Sequence, residues 1–593
     1  MKENTLDLTA VKTAAEGEKM KKSLRLSTML LGFMLFGYLQ QAQATTYYVD
    51  FDYGSDAANG LATTSSWKNI PGTKTTGNGG FLSAGGWKRL VAGDVLVVKG
   101  GTKHTSQGGG MIQIDSTWFD NGTATSPITI KGDPTWGTGQ SVIDGYGITV
   151  PNWSGLVNIS KRDYIVFDGG ANGIKVQNSG YNGFQTTGNY NTLRNAEVYN
   201  SIWANVVFIS PTYPTTFLQG ATIDRVVAHK TGINDDWAAN IFLTYVNNAV
   251  ISNCTAYDSN TGSDGIHLGS CTNSWVLNCI VHNNGEQGVD VSKDGDSKNR
   301  DDSWNVTVRD CIGYSNYKQN FDCNSSSRDI YFINNTAWDT TTSEKGDGNF
   351  QVYEGGSRVF FINNTSAGGN DFGYGIAWWG AYYNLASGTY NIYLINNISS
   401  ADSGKSVSVE NDYSGRSFAV KYYNCLFNSA YGGYVVTDKS ANYTSSSVAN
   451  STGGWTGSAC MSTDPYYTLL GSTWDTTNLK LQSTSPALNK GVFPFTTSAS
   501  GSGTTITLNK LVSDIDARMV FRRGDTIQIE GSGRYQIASV PSANQITLTT
   551  AATWQSGKGV WMPWPNQKLD IGVIKAPTTT AKIPSAPVLL SAS

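Results

Sequence analysis

Between about Asn191 and Asn428 one short pattern returns every 25 to 33 residues, in lines such as NTLRNAEVYN, AVISNCTAYD, SWVLNCIVHN, RVFFINNTSA and NIYLINNISS. Each line holds alternating apolar residues, a polar residue that is usually Asn, and a second short strand. A period of this length with short strands and no helical spacing marks a solenoid, and each line is long enough for one turn of a parallel β-helix. The polar positions align as Asn195, Arg225, Asn253, Asn278, Asp310, Asn335, Asn364, Asn397 and Asn424. An amide repeated at one bend can bond to the turns above and below, satisfying backbone groups the bend leaves open. The next column reads Ala196, Val226, Cys254, Cys279, Cys311, Thr336, Thr365, Ile398 and Cys425. Its residues are small or apolar and are expected to face inward, stacked at about 4.8 Å per rung. The chain has 7 cysteines, an odd number with no paired C-x-x-C spacing. Reduced core packing is the plain reading of them, and a disulfide or metal role the alternative.

A chain of 593 residues can spend most of its length on one such core. Only 15% of it is charged and the formal net charge is −3, which speaks against a nucleic-acid partner. Lys21, Lys22 and Arg25 precede an apolar run from Met29 to Leu39 and then Ala42-Gln43-Ala44. This reads as a signal peptide over residues 1–44, with translation expected from Met20 and a mature protein that is secreted or periplasmic. The run is too short for a permanent anchor and no later stretch would span a membrane. The solenoid is expected over 45–491. Residues 492–564 hold TTITL, DTIQIEG, GRYQIASV and NQITLTT, alternating strands that read as a small all-β insertion. It would serve as a cap on the final rung or as a sugar-binding module. A return segment and tail follow over 565–593, and the chain is expected to be a monomer.

Each rung also carries an earlier strand: GFQTT, NVVFI, NIFLT, GIHLG, GVDVS, NFDCN, NFQVY and GIAWW. Side chains alternate across a strand. With the second residue of each facing inward, the outward column becomes Gln185, Val207, Phe242, His267, Asp290, Asp322, Gln351 and Ala377. His267, Asp290 and Asp322 then stand on three successive rungs, with Asp264, Glu286 and Lys318 just before their strands and Lys293 and Arg300 in the charged loop after Asp290. Carboxylates about 5 Å apart repel by roughly 3 kcal/mol at an effective dielectric near 20, over two pKa units, so they share a proton or take a cation. Oxygen donors of this kind suit calcium. Trp237, Tyr353 and Trp379 are candidates for stacking on sugar rings, although packing is the plainer role for each.

The opening TYYVDFDYGSDAANGLATTSSWKNI and the later AGDVLVVKGG resemble the first coil of secreted right-handed parallel β-helix proteins of the pectate-lyase-like superfamily. That resemblance implies a right-handed all-β helix acting on an extracellular polysaccharide, though the fold serves several activities. SDGIHLG followed by EQGVD is similar to the pattern of polysaccharide lyase family nine, which are calcium-dependent pectate lyases. It implies calcium ligands at Asp264, Glu286 and Asp290. The family's lysine base falls at QNFDC, where this chain has Asp322. If a lyase, the chain needs another base, Lys318, Lys293 or His267, with Arg300 or Arg309 to neutralise the uronate. If a hydrolase, Asp290 and Asp322 would form its acid pair. A non-catalytic polysaccharide-binding or adhesin-type helix is the third reading.

Overall fold

In a computed structural model the protein is described over residues 44–572, except 77–78, 233–237, 294–301, 325–326, 341–347, 354–355, 370, 379–387, 401–404, 410–415, 429–435, 439–440, 444–455, 459, 468–478 and 565–567. The expected signal peptide, Trp237, Arg300 and Trp379 lie outside the described residues. No helix among the described residues is long and apolar enough to cross a membrane.

The described chain is a parallel β-helix. A 13-stranded sheet forms one wall and a 24-stranded sheet wraps the others. Pairing is parallel from rung to rung until Val436–Asp438 turns back on Ala441–Tyr443. Six strands of the 13-stranded wall matter most below: β1 (Ala239–Thr244), β2 (Asp264–Gly269), β3 (Val289–Ser292), β4 (Phe321–Cys323), β5 (Gly348–Tyr353) and β6 (Phe372–Trp378). Their inward residues stack in the core, with Ile266, Val289, Phe321, Phe350 and Tyr374 in one row. The Phe321, Phe350 and Tyr374 rings lie 5.2 and 5.1 Å apart.

Asparagine does two separate jobs here, and the sequence merges them. The corner column is Asn195, Arg225, Asn253, Asn278, Asp310, Asn334, Asn363, Asn396 and Asn424, all with φ between 49° and 61°. Asparagine tolerates this left-handed bend better than most residues. In the three I-N-N rungs it is therefore the first Asn that turns the corner. The second, at Asn335, Asn364 and Asn397, points inward beneath the cysteine column, a one-residue correction to the alignment expected from sequence. Thr336 accordingly pairs with Ile312 and not with Cys311. Inside, Asn335 Nδ2 donates to Val308 O and to Asn364 Oδ1, and Asn364 Nδ2 donates to Phe332 O and to Asn397 Oδ1.

A second buried ladder runs beneath the start of the site strands. Nδ2 of Asn205, Asn240, Asn284, Asn316 and Asn320 donate to Oδ1 of Asn240, Asn284, Asn316, Asn320 and Asn349 in turn, at 2.6 to 3.0 Å. All seven cysteines are free, and six of them are buried.

The C-terminal strands Phe495–Thr497, Gly501–Lys510, Thr526–Ile529, Gly533–Ser542, Gln545–Trp554 and Gly559–Trp561 close into a small barrel. It docks along the side of the helix. Tyr331, Phe360 and Tyr393, stacked 4.4 and 4.6 Å apart, form an apolar strip that packs with Val512, Ile515 and Met519. Arg309 reaches across to both carboxylate oxygens of Asp525 at 2.6 and 2.8 Å and to Val520 O. Leu569–Gly572 then returns to bond Gly491, Ala487 and Asn396 of the solenoid.

The Asn364→Ala variant strands the Asn335 N–H and the Phe332 carbonyl, since Asn364 serves both. It is expected to lower stability by about 1–3 kcal/mol for each group left unpaired. Denaturant unfolding beside the wild type measures this, and an unchanged midpoint would contradict the ladder's role.

Candidate functional site

The outward column of the site wall is continuous in register. Phe242 pairs with His267, His267 with Asp290, Asp290 with Asp322, and Asp322 with Gln351. The next member is Gly375, because β6 enters the wall at Phe372, and a bulge between Val352 and Tyr353 follows. Ala377, expected there from the GIAWW alignment, falls within that bulge.

Local backbone demands explain the D-G and Q-G dipeptides that open β2 and β3. A Cβ at Gly265 would lie 2.7 Å from Asn284 Nδ2, and one at Gly288 would lie 2.7 Å from Asn316 Nδ2. The asparagine ladder thus passes too close to the chain for any side chain at these points. Asp264 is anchored as its strand begins, with Oδ1 accepting the Gln287 N–H at 3.0 Å.

Three of the expected residues meet. His267 Nδ1 lies 3.0 Å from Asp264 Oδ2 and 3.0 Å from Asp290 Oδ2, and one donor atom from each of the three lies within 4.8 Å of the others. The imidazole lies flat on Phe242, with centroids 4.9 Å apart and planes 4° off parallel. Burial pushes the Asp264 carboxyl up to about 7; the hydrogen bond from His267 restrains that rise, and the charges of Asp290 and Glu286 add to it. Burial works against a charged His267, but the two carboxylates outweigh it and hold its pKa well above the ordinary value. The ring is therefore an imidazolium near neutrality, bridging two acids. Its Nε2 makes no hydrogen bond among the described residues, and the side chain stays 16% exposed.

Glu286, grouped with the calcium ligands on sequence, is engaged elsewhere. Lys318 Nζ donates to its Oε1 at 2.6 Å, and the Lys318 N–H donates to its backbone carbonyl. Burial nonetheless raises the Glu286 carboxyl against the pull of Lys318. Lys318 is 32% exposed and stands at the start of the site wall. Asp322 keeps its place in the column but is fully buried. Lys293 directly follows β3, and Tyr353 ends β5, half-buried and paired across the bulge with Trp378. Arg309, expected as a charge neutraliser, belongs to another wall and clamps the barrel.

The cluster passes a chemical test for a divalent cation. Asp290 Oδ1 is buried without a hydrogen-bond partner among the described residues, and it sits beside a second carboxylate. Calcium accepts such oxygens, whereas an imidazole nitrogen is a poor donor for it. Calcium would therefore use Asp264 and Asp290, not His267.

The sequence reading missed an aromatic wall on the N-terminal side. Trp153, 63% exposed, meets Trp203 at 5.1 Å and Tyr181 at 5.7 Å. Trp203 meets Phe242 at 4.9 Å, so rings run unbroken to His267. Trp153 takes φ 60° and is held by Gln185 Nε2 donating to its carbonyl. Trp153, Tyr181 and Trp203 sit in turns and not in the repeating strands, so column alignment could not collect them. Only the high count of 17 Trp hinted at such a surface.

No family profile matches the chain. Pectate lyase L of Paenibacillus polymyxa (strain SC2) is 29% identical over 213 residues. That stretch spans 33% of this chain and 45% of the relative, less than half its length. Among solved structures, pectate lyase Pel9A aligns with TM-score 0.39 and 16% identity over 76% of this chain and 92% of that one. A rhamnogalacturonan lyase aligns with TM-score 0.39 and 13% identity over 60% and 87%. The A-module of Azotobacter vinelandii mannuronan C-5 epimerase AlgE6 aligns with TM-score 0.38 and 15% identity over 63% and 91%.

His267→Ala leaves two buried carboxylates facing each other with no cation. It is expected to cost about 3–5 kcal/mol, as when a buried pair loses one member, and added calcium should recover part of the loss. Unfolding with and without calcium tests this; a variant as stable as wild type in chelator would show that the two acids do not depend on the imidazole.

Proposed function

We propose that the chain is an exported polysaccharide lyase that cleaves a uronate polymer of the pectate type on the outer wall of β1–β5, with calcium as cofactor. The observation that carries this reading is the Asp264–His267–Asp290 cluster, on one wall and in register, with one imidazole nitrogen left facing out. The stretch shared with the Paenibacillus pectate lyase supports elimination as the chemistry.

Elimination removes the C5 proton of a uronate, forms the C4=C5 double bond and breaks the bond from C4 to the glycosidic oxygen. The base must be reachable by the sugar. Lys318 is, and Asp322, at the family's lysine position, has no exposed surface. Lys318 Nζ first passes a proton along its hydrogen bond to the Glu286 carboxylate, whose basicity burial has raised, and the neutral amine then takes the C5 proton. The His267 Nε2–H returns a proton to the departing oxygen, while Asp264 and Asp290 hold the ring from Nδ1 and stabilise its charge. Calcium, held by Asp264 and Asp290, would neutralise the uronate carboxylate and make the C5 proton more acidic. Trp153 and the rings behind it give the sugar chain a flat apolar surface leading to the cluster.

Hydrolysis by an Asp290/Asp322 pair has less support, because Asp322 is buried and Asp290 Oδ2 already serves His267. The deciding experiment incubates the mature chain with acidic and neutral polysaccharides, with calcium and with chelator, and resolves products by mass. Elimination gives unsaturated products that absorb in the ultraviolet and lack one water relative to hydrolysis products. Lys318→Ala and His267→Gln should each lower turnover by roughly 10²-fold or more. Saturated products, or full activity in chelator, would sink the reading.

Trp153→Ala should leave the fold intact and raise KM several-fold with kcat nearly unchanged, since an exposed ring contributes about 0.5–1.5 kcal/mol. Steady-state kinetics on soluble polymer separates the two parameters.

A further inference from the structure

We infer that the C-terminal barrel carries a second glycan site, one that takes a neutral sugar and lies apart from the acidic cluster. Its surface carries an open cleft of about 830 Å³ lined by Glu530, Ser532, Tyr535, Trp554, Gln555 and Lys558. This volume is in the range of roughly 300–1,000 Å³ that small-molecule sites occupy. Aromatic rings beside hydroxyl, amide and charged groups match a sugar, which offers an apolar C–H face edged with hydroxyls.

Side chains around the cleft are held in place. Trp554 Nε1 donates to Ala499 O at 2.9 Å. Ser532 Oγ bonds the Tyr535 hydroxyl at 2.8 Å and donates to Thr553 O. Glycines keep the rim bare. A Cβ at Gly501 would press to 3.0 Å from the Trp554 ring. Gly503 and Gly531, at φ 129° and 73°, face open space. Both backbones are in the left-handed region, where a side chain is strained even with room for it.

Two features choose the ligand. Glu530 and Lys558 bring one negative and one positive charge to the same cleft, so an ionised uronate gains no net attraction over a neutral hexose. Vicinal hydroxyls, by contrast, can donate to the carboxylate and accept from the ammonium. The cleft is also clear of the docking surface, since the groups that bond the solenoid, among them Asp514, Asp516, Met519, Val520, Asp525 and Met562, do not line it. A sugar bound there holds the polymer while the other wall remains accessible.

Native affinity electrophoresis of the full mature chain through gels containing galactan, mannan, xylan or polygalacturonate tests this. Galactan, mannan or xylan should retard the wild type. The Tyr535→Ala/Lys558→Ala double variant should lose roughly tenfold in affinity, and Tyr535→Phe should retain most of it. Asp290→Asn should be retarded like wild type, because that change touches only the acidic cluster. Absence of retardation by all three neutral polymers overturns the inference. So does retardation that survives the double variant, confirmed as folded by its thermal transition, or that vanishes in Asp290→Asn. These outcomes are independent of whether the acidic cluster performs elimination.

Discussion

Buried amides stacked from rung to rung are the constraint on which this structure rests. A solenoid corner takes backbone groups out of the sheet and away from water, and each one left unpaired is costly. Asparagine answers this with a side chain that donates and accepts at once, so each amide serves its own rung and the next. The ladder from Asn205 to Asn349 runs beneath the start of β1–β5, and it fixes the site geometry. If a rung slipped by one residue, His267 and Asp290 would turn into the core. The same ladder requires Gly265 and Gly288, so the glycines of a motif that looks catalytic are there for packing.

That rigidity lets the wall keep an arrangement that water would otherwise disperse. Two acids and an imidazole are held within hydrogen-bond reach where burial penalises every charge among them. The imidazolium resolves the conflict from inside, and Lys318 does the same for Glu286. Both cations are partly exposed, whereas the acids behind them are more deeply covered. The two cations therefore face outward, and the carboxylates that hold them stand behind.

Much of this was legible in the sequence, because a repeat aligns residues that share an environment. The column His267, Asp290, Asp322, Gln351 could be read directly, since each lies at the same offset in its strand. Errors arose where the offset broke. In the I-N-N rungs either Asn could have turned the corner, and only backbone conformation tells Asn334 from Asn335. At β6 the strand begins at Phe372, earlier than the GIAWW alignment places it, so Gly375 stands where Ala377 is expected. Glu286 and Lys318 were both noticed, but their pairing depends on side-chain reach. Arg309 was misread because alternation says that a residue points outward, not what docks on it. Turns gave no periodic signal, so Trp153, Tyr181 and Trp203 stayed hidden.

The walls divide the work, and that division limits how the site can respond to a metal. The barrel occupies the face around Arg309, Tyr331 and Tyr393, leaving the wall of His267 free of it. On that wall Asp264 Oδ1, Asp264 Oδ2 and Asp290 Oδ2 already have donors, and Asp290 Oδ1 has none among the described residues. A cation therefore gains one oxygen at no cost and must compete with the imidazole for others. Repulsion between the two acids favours the cation, and their hydrogen bonds to His267 oppose it. Affinity should thus be set less by the number of acids than by how firmly Phe242 holds the imidazole in its bridging position.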